Sequence, residues 1–159
     1  MYLKEIKQME LNWRYKSFED LTAQEVYAIL QLRSEVFVVE QNCVYQDIDG
    51  KDQKSFHLMG WEGGDLVAYC RLVKPGVSFV EASIGRVITS PKYRGNGFGI
   101  ALIEKALAQI VETFGVGDIK IGAQLYLKKF YGSFGFVQTR EMYLEDDIPH
   151  IEMLLAAKT

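Results

Sequence analysis

The sequence predicts an α/β domain: one mixed sheet with helices on its faces, in the order β-α-βββ-α-β-α-ββ. Three observations predict it. Short apolar or alternating segments recur between turn signals, as strands do. A glycine-rich turn joins one such segment to a long run with helical apolar spacing. Finally, 159 residues with 48% hydrophobic and 13% aromatic side chains suit one well-filled core, with no repeat or linker to divide them. The expectation is a single domain over 1–159.

Residues 13–18 (WRYKSF) alternate aromatic and polar side chains, the pattern of a half-buried strand. Thr22, followed three residues later by Glu25, forms a capping box. Val26, Ile29, Leu30, Val36 and Phe37 then mark one face of a helix. Arg33 falls on that same face and reads either as an arginine snorkelling to the rim or as an ion pair near a binding site. The acidic stretch 41–54 shows no periodicity. Residues 56–61 and 66–73 flank Glu62-Gly63-Gly64-Asp65 as a β-hairpin, and 82–89 supply a third strand. Ile103, Ala106, Leu107, Ile110 and Phe114 outline the long helix, which Gly115 and Gly117 should stop. A short strand at 119–123, a short helix at 126–134 ended by Gly135, and two strands at 136–143 and 151–155 complete the order.

Composition narrows the function. With 18 basic and 21 acidic residues the formal charge is −3, which argues against a mainly electrostatic nucleic-acid binder. No apolar run reaches the ~18 residues of a membrane span, so no membrane partner is expected. The charged N-terminus lacks the continuous apolar stretch of a signal peptide. Cys43 and Cys70 do not form a CxxC pair and read as reduced thiols of a cytoplasmic protein. Two histidines and two scattered cysteines offer no zinc-ligand spacing, and no metal is expected.

The stretch Arg94-Gly95-Asn96-Gly97-Phe98-Gly99-Ile100 leaves a strand (GRVIT) and opens the long helix. Glycines there let the backbone approach a phosphate, and the free N–H groups of a helix N-terminus attract it. A Rossmann loop is excluded because Ile100 stands where its third glycine belongs, and a Walker loop because no G-K-[ST] occurs. What fits is [RQ]-x-x-G-x-G. This resembles the pyrophosphate-binding motif of the GNAT superfamily of N-acetyltransferases. Phe130-Tyr131-Gly132-Ser133-Phe134-Gly135-Phe136 is similar to that superfamily's FYxxFGF signature, with Gln124 seven residues before the tyrosine. Arg33 to Gln41, then Tyr45, Asp49-Gly50 and Asp52, resembles the RxxVFVVEQ…Y…D(G)xD segment of the ElaA-like branch. So do Arg86-Val87 and the run from Glu145 to Ile151; Val44 departs from that branch, which usually has proline there.

The resemblance implies acetyl-CoA as co-substrate and an amine acceptor, a small molecule or a protein. It implies that the turn from Arg94 to Ile100 binds pyrophosphate, that backbone groups of Val87, Ile88 and Thr89 hold the pantetheine arm, and that Gln124 touches the cofactor. One backbone N–H there can face the thioester oxygen as negative charge develops. Tyr131 is the candidate general acid for the leaving thiolate, against a plain reading as one aromatic of the core. A protonated amine also needs a proton acceptor; Glu40, Asp49, Asp52, His57 and His150 are candidates, Glu40 first, while structural roles suit the histidines. The acidic loop 40–52 would attract a cationic acceptor. Against the enzyme stands a catalytically idle acyl-CoA-binding module. The oligomeric state stays open, a homodimer included.

Overall fold

The structure, a computed structural model, describes residues 10–158, so the charged N-terminal stretch up to residue 9 lies outside the described residues. Strands β1 (Asn12–Ser17), β2 (Ser55–Glu62), β3 (Asp65–Val73) and β4 (Ser83–Thr89) form an antiparallel sheet in that order. A second antiparallel sheet joins β5 (Ile119–Gln124) to β8 (Ile148–Leu155). There β8 also pairs with β6 (Val137–Gln138) and β7 (Tyr143–Glu145). Helices α1 (Ala23–Arg33), α2 (Phe98–Phe114) and α3 (Lys128–Gly132) complete the chain.

Neighbouring residues of β2 and β3 serve opposite cores, which is why these strands read as continuous apolar runs. On one face Leu58, Ala68, Cys70 and Leu72 pack against Leu102, Ile103, Ala106 and Ile110 of α2. On the other, Met59, Leu66 and Tyr69 pack against Ile29 and Leu32 of α1. The capping box forms as read: Thr22 Oγ1 accepts from the Glu25 amide at 3.1 Å, and Glu25 Oε1 accepts from the Thr22 amide at 2.9 Å.

The two sheets touch at one parallel bridge, Ala82 to Ile119, where the Lys120 amide donates to the Ala82 carbonyl at 3.0 Å. Beyond it, no ladder links β4 to β5 among the described residues. The strands part, and a cavity of about 440 Å³ lies between them. Opposite Cys70, β4 carries an extra residue, since Tyr69 pairs with Ile88 but Arg71 with Gly85. Arg86 within this bulge has φ +51°, and such bulges re-aim side chains beside functional sites.

Two expectations need correction, and one open alternative is resolved. The first helix does not run unchanged to Phe37: α1 stops at Arg33 and continues as a π-helical segment, Ser34–Glu40. The β-branched residues Val36, Val38 and Val39 fit α-helical packing poorly, and the wider turn is closed by bonds such as Cys43 N to Val38 O at 3.1 Å. Instead of one strand at 136–143 there are two short ones, β6 and β7, so three strands end the chain. Asp146 (φ +49°) and Asp147 (φ +62°) make the tight turn from β7 to β8, where aspartate tolerates the left-handed region. Of the two readings of Arg33, the snorkelling one fails and the ion pair forms, with Asp47 and Asp52. The side chain is fully buried.

Candidate active site

Arg94 to Ile100 form an open cradle. Gly95 and Gly97 adopt φ +86° and +76°, conformations that favour glycine, and a Cβ at either would meet nothing within 4 Å. The outer face of the turn is therefore free to receive a ligand against the backbone. The first helical bond of α2 is Ala101 N to Gly97 O, at 3.2 Å. The amides of Phe98, Gly99 and Ile100 precede it and point out of the helix end, where an anion is favoured. Asn96 braces the turn through Nδ2 to the Tyr93 carbonyl at 2.8 Å. The Arg94 guanidinium reaches back to Glu40, with Nη1–Oε2 at 3.0 Å and Nη2–Oε1 at 2.7 Å. Glu40 thus pairs with Arg94 and stands beside the glycine turn, outside the lining of the cavity.

Inside the gap, Gly85, Arg86 and Val87 line the β4 side, and Gly122, Ala123 and Gln124 the β5 side. Ile88 is buried in the α1-side core, and Thr89 pairs with Ala68 of β3. Gln124 exchanges hydrogen bonds with Gln41 at 3.3 and 3.4 Å, so the amides tie the end of the π-helical segment to β5.

Tyr131 reaches the cavity from α3. Its ring packs edge-on against Phe130 and Phe136, with centroids 5.1 and 6.0 Å away. Its phenol has no hydrogen bond to another described residue. Burial pushes its pKa above the ordinary phenol value, which keeps the proton on the oxygen. The ring is thus locked by aromatics of the core while the residue borders the cavity.

A charge-balanced network of Arg33, Arg71 and Arg86 with Asp47, Asp49 and Asp52 forms one wall of the cavity, which Asp49, Arg71 and Arg86 line. Arg33 donates to Asp47 Oδ2 at 2.8 Å and to Asp52 Oδ1 at 2.7 Å. Arg71 binds Asp49 at 2.5 and 2.8 Å and Asp52 at 3.0 Å. Arg86 lies 2.7 Å from Asp47 and over the rings of Phe37 and Tyr45. Burial alone would raise the Asp49 carboxyl, but the hydrogen bonds and charge of Arg71 outweigh it and hold it well below the usual range. Asp52 is likewise lowered, with Arg33 outweighing burial. These carboxylates are paired with arginines, which offsets the negative charge of the loop and commits Asp49 and Asp52 to those ion pairs. Arg71 and Asp47 were not singled out by the sequence. The signal was there, in arginines within apolar segments facing an aspartate-rich loop.

The two histidines differ. His57 is buried with both nitrogens engaged, Nδ1 with the Tyr69 hydroxyl at 2.8 Å and Nε2 with the Asp52 carbonyl at 2.9 Å. It is a structural residue, as expected. His150 lines the cavity.

Comparison with known proteins decides the family. The model of the acetyltransferase (GNAT) domain matches residues 18–157. The chain belongs to the GNAT acetyltransferase family. Within it, Protein ElaA of Escherichia coli is 43% identical over 145 residues, covering 90% of this chain and 95% of that protein, which sets the chain in the ElaA-like branch. The crystal structure of E. coli ElaA superposes with a TM-score of 0.85 at 42% identity, over 91% of this chain and 98% of that one. An acyl-CoA N-acyltransferase from Pseudomonas aeruginosa superposes with a TM-score of 0.89 at 47% identity, over 92% and 100%. As a GNAT domain the chain is an acyltransferase, of a family that uses acyl-CoA as co-substrate. The open glycine turn and the gap between β4 and β5 fit a long, phosphate-bearing thioester.

Proposed function

We propose that this GNAT domain transfers an acetyl group from acetyl-CoA to a primary amine of a small molecule or an exposed protein group. The observation that carries the reading is the Tyr131 phenol at the cavity between the parted strands, held in its neutral form by burial and without a hydrogen bond among the described residues. The amides of the Arg94 to Ile100 turn hold the pyrophosphate. The backbone of Val87, Ile88 and Thr89 holds the pantetheine arm and offers an N–H to the thioester oxygen, an interaction that strengthens as charge develops. Gln124 borders the same arm. Tyr131 donates its proton to the departing sulfur. Glu40, the first candidate for proton acceptor, is better suited by its pairing with Arg94 to the phosphate side of the site.

The free thiols Cys43 and Cys70 suit a reducing, cytoplasmic location. Among the described residues no helix is long and apolar enough to cross a membrane. The test is thiol release from acetyl-CoA with a panel of primary amines: ethanolamine, cadaverine, lysine and a glycine-led peptide. Amine-dependent release supports the reading. Tight acetyl-CoA binding without release across a broad panel would favour an idle acyl-CoA-binding module.

A further inference from the structure

His150 stands on β8, paired in register with Gln124 of β5 on one side and Tyr143 of β7 on the other. Its Nδ1 lies 2.7 Å from the Ile148 carbonyl oxygen. A carbonyl only accepts, so the neutral ring carries its proton on Nδ1 and leaves a lone pair on Nε2. Nε2 meets no hydrogen-bond donor among the described residues; the charged atom beside it is Glu145 Oε2 at 3.6 Å. The ring stacks on Tyr143 (6.0 Å, 28°), which also carries the Arg140 guanidinium 4.8 Å from its centroid. The cavity bordered by His150 is also bordered by Tyr131, and its remaining charged lining includes Asp49, Arg71, Arg86 and Asp146. The aspartate and arginines of that set that belong to the network are committed to one another.

We infer that His150 is the proton acceptor for the attacking amine. The inference rests on the acyl-transfer reading and adds the group that reading lacks. A histidine fixed in the Nδ1–H tautomer with a free Nε2 is a poised base, and a neighbouring carboxylate stabilises the imidazolium that forms. An ammonium acceptor must lose two protons. One passes to Nε2 and on to solvent as the amine nitrogen becomes free to bond the thioester carbon. The C–S bond then breaks, the sulfur takes the Tyr131 proton, and the second amine proton, relayed through solvent, restores the phenol. Acid and base thus belong to different elements, α3 and β8, around one cavity. His57 cannot serve, since both its nitrogens are used.

The experiment uses the full chain and its His150→Gln variant. Heteronuclear NMR of the imidazole nitrogens, with the variant assigning the signal, is expected to show the Nδ1–H tautomer without any co-substrate. With acetyl-CoA and the same amine panel, kcat is expected to fall about 10²–10⁴-fold in the variant. Acetyl-CoA affinity and melting temperature should stay unchanged, the ascending limb of the pH–rate profile should vanish, and added imidazole should restore part of the rate. An Nε2–H tautomer overturns the inference. So does a variant that keeps its kcat, or one whose loss follows weaker acetyl-CoA binding with the pH profile retained. If the wild type releases no thiol with any amine, the acyl-transfer reading fails and takes this inference with it; a wild type that turns over beside an equally active variant sinks this inference alone.

Discussion

Replacing Arg33 by methionine keeps most of the side chain's length and apolar volume but removes its charge and five donors. In the wild type the guanidinium is fully buried and joins Asp47 to Asp52, with a third bond to the Asp47 carbonyl at 3.1 Å. Breaking a buried ion pair from one side leaves uncompensated carboxylates and costs about 3–5 kcal/mol. Asp52 keeps Arg71 and Asp47 keeps Arg86, so the lower half of that range is expected. At roughly 2–4 °C per kcal/mol for a chain of this size, the melting temperature should drop by about 6–16 °C. The pH dependence supplies a second arm. The Asp52 carboxyl is lowered in the folded state, so its pairing stabilises fully above the unfolded carboxyl value of about 3.9 and is lost as pH falls through the lower folded value. The gap between wild type and variant should therefore be widest near neutrality and narrow in acid. Urea unfolding at several pH values measures it. A variant within ~1 kcal/mol of wild type at neutral pH, or a gap that does not shrink in acid, would refute the reasoning.

Other perturbations separate the parts of the site. Gly97→Val places a β-branched residue at φ +76° and a side chain on the open face of the turn; about 1–3 kcal/mol of stability and most calorimetric acetyl-CoA binding should be lost, and undiminished binding in a folded variant would contradict the assignment. Glu40→Gln breaks an exposed pair, so stability should change by less than ~1 kcal/mol, acetyl-CoA affinity should not fall, and amine turnover should stay within a few-fold; a steep loss of turnover alone would return Glu40 to the acceptor side. Burial holds the His57 imidazole below its ordinary value, so the unfolded chain binds the proton more readily and stability should decline as pH drops below about 6.5; His57→Gln should flatten that slope in thermal melts, and an unchanged slope would assign it to other groups.

Much of the fold was legible because local signals agreed with the global arrangement. The capping box and the glycine-stopped α2 follow from nearest-neighbour chemistry and stand where the pattern put them, and β1 forms one residue earlier than its pattern, without alternating burial. The glycine turn and Tyr131 were legible as motifs, though only the structure brings β4, β5 and α3 around one cavity. What escaped was decided by distant partners. The choice between a rim residue and an ion pair for Arg33 stayed open because its counter-charges lie 14 and 19 positions away. Glu40 looked like an acceptor-side base until its partner proved to be Arg94, 54 positions on. The π-helical segment and the split of β6 from β7 were hidden because periodicity does not distinguish helix types or locate two-residue strands.

Acid catalysis by Tyr131 in the gap between β4 and β5 can be measured by steady-state thiol release in Tyr131→Phe. The variant should fold and bind acetyl-CoA as the wild type does, with kcat lower by about 10²–10⁴-fold. Unchanged kcat, with at most the ~1 kcal/mol stability loss of a missing hydroxyl, would contradict it and leave Tyr131 a packing residue.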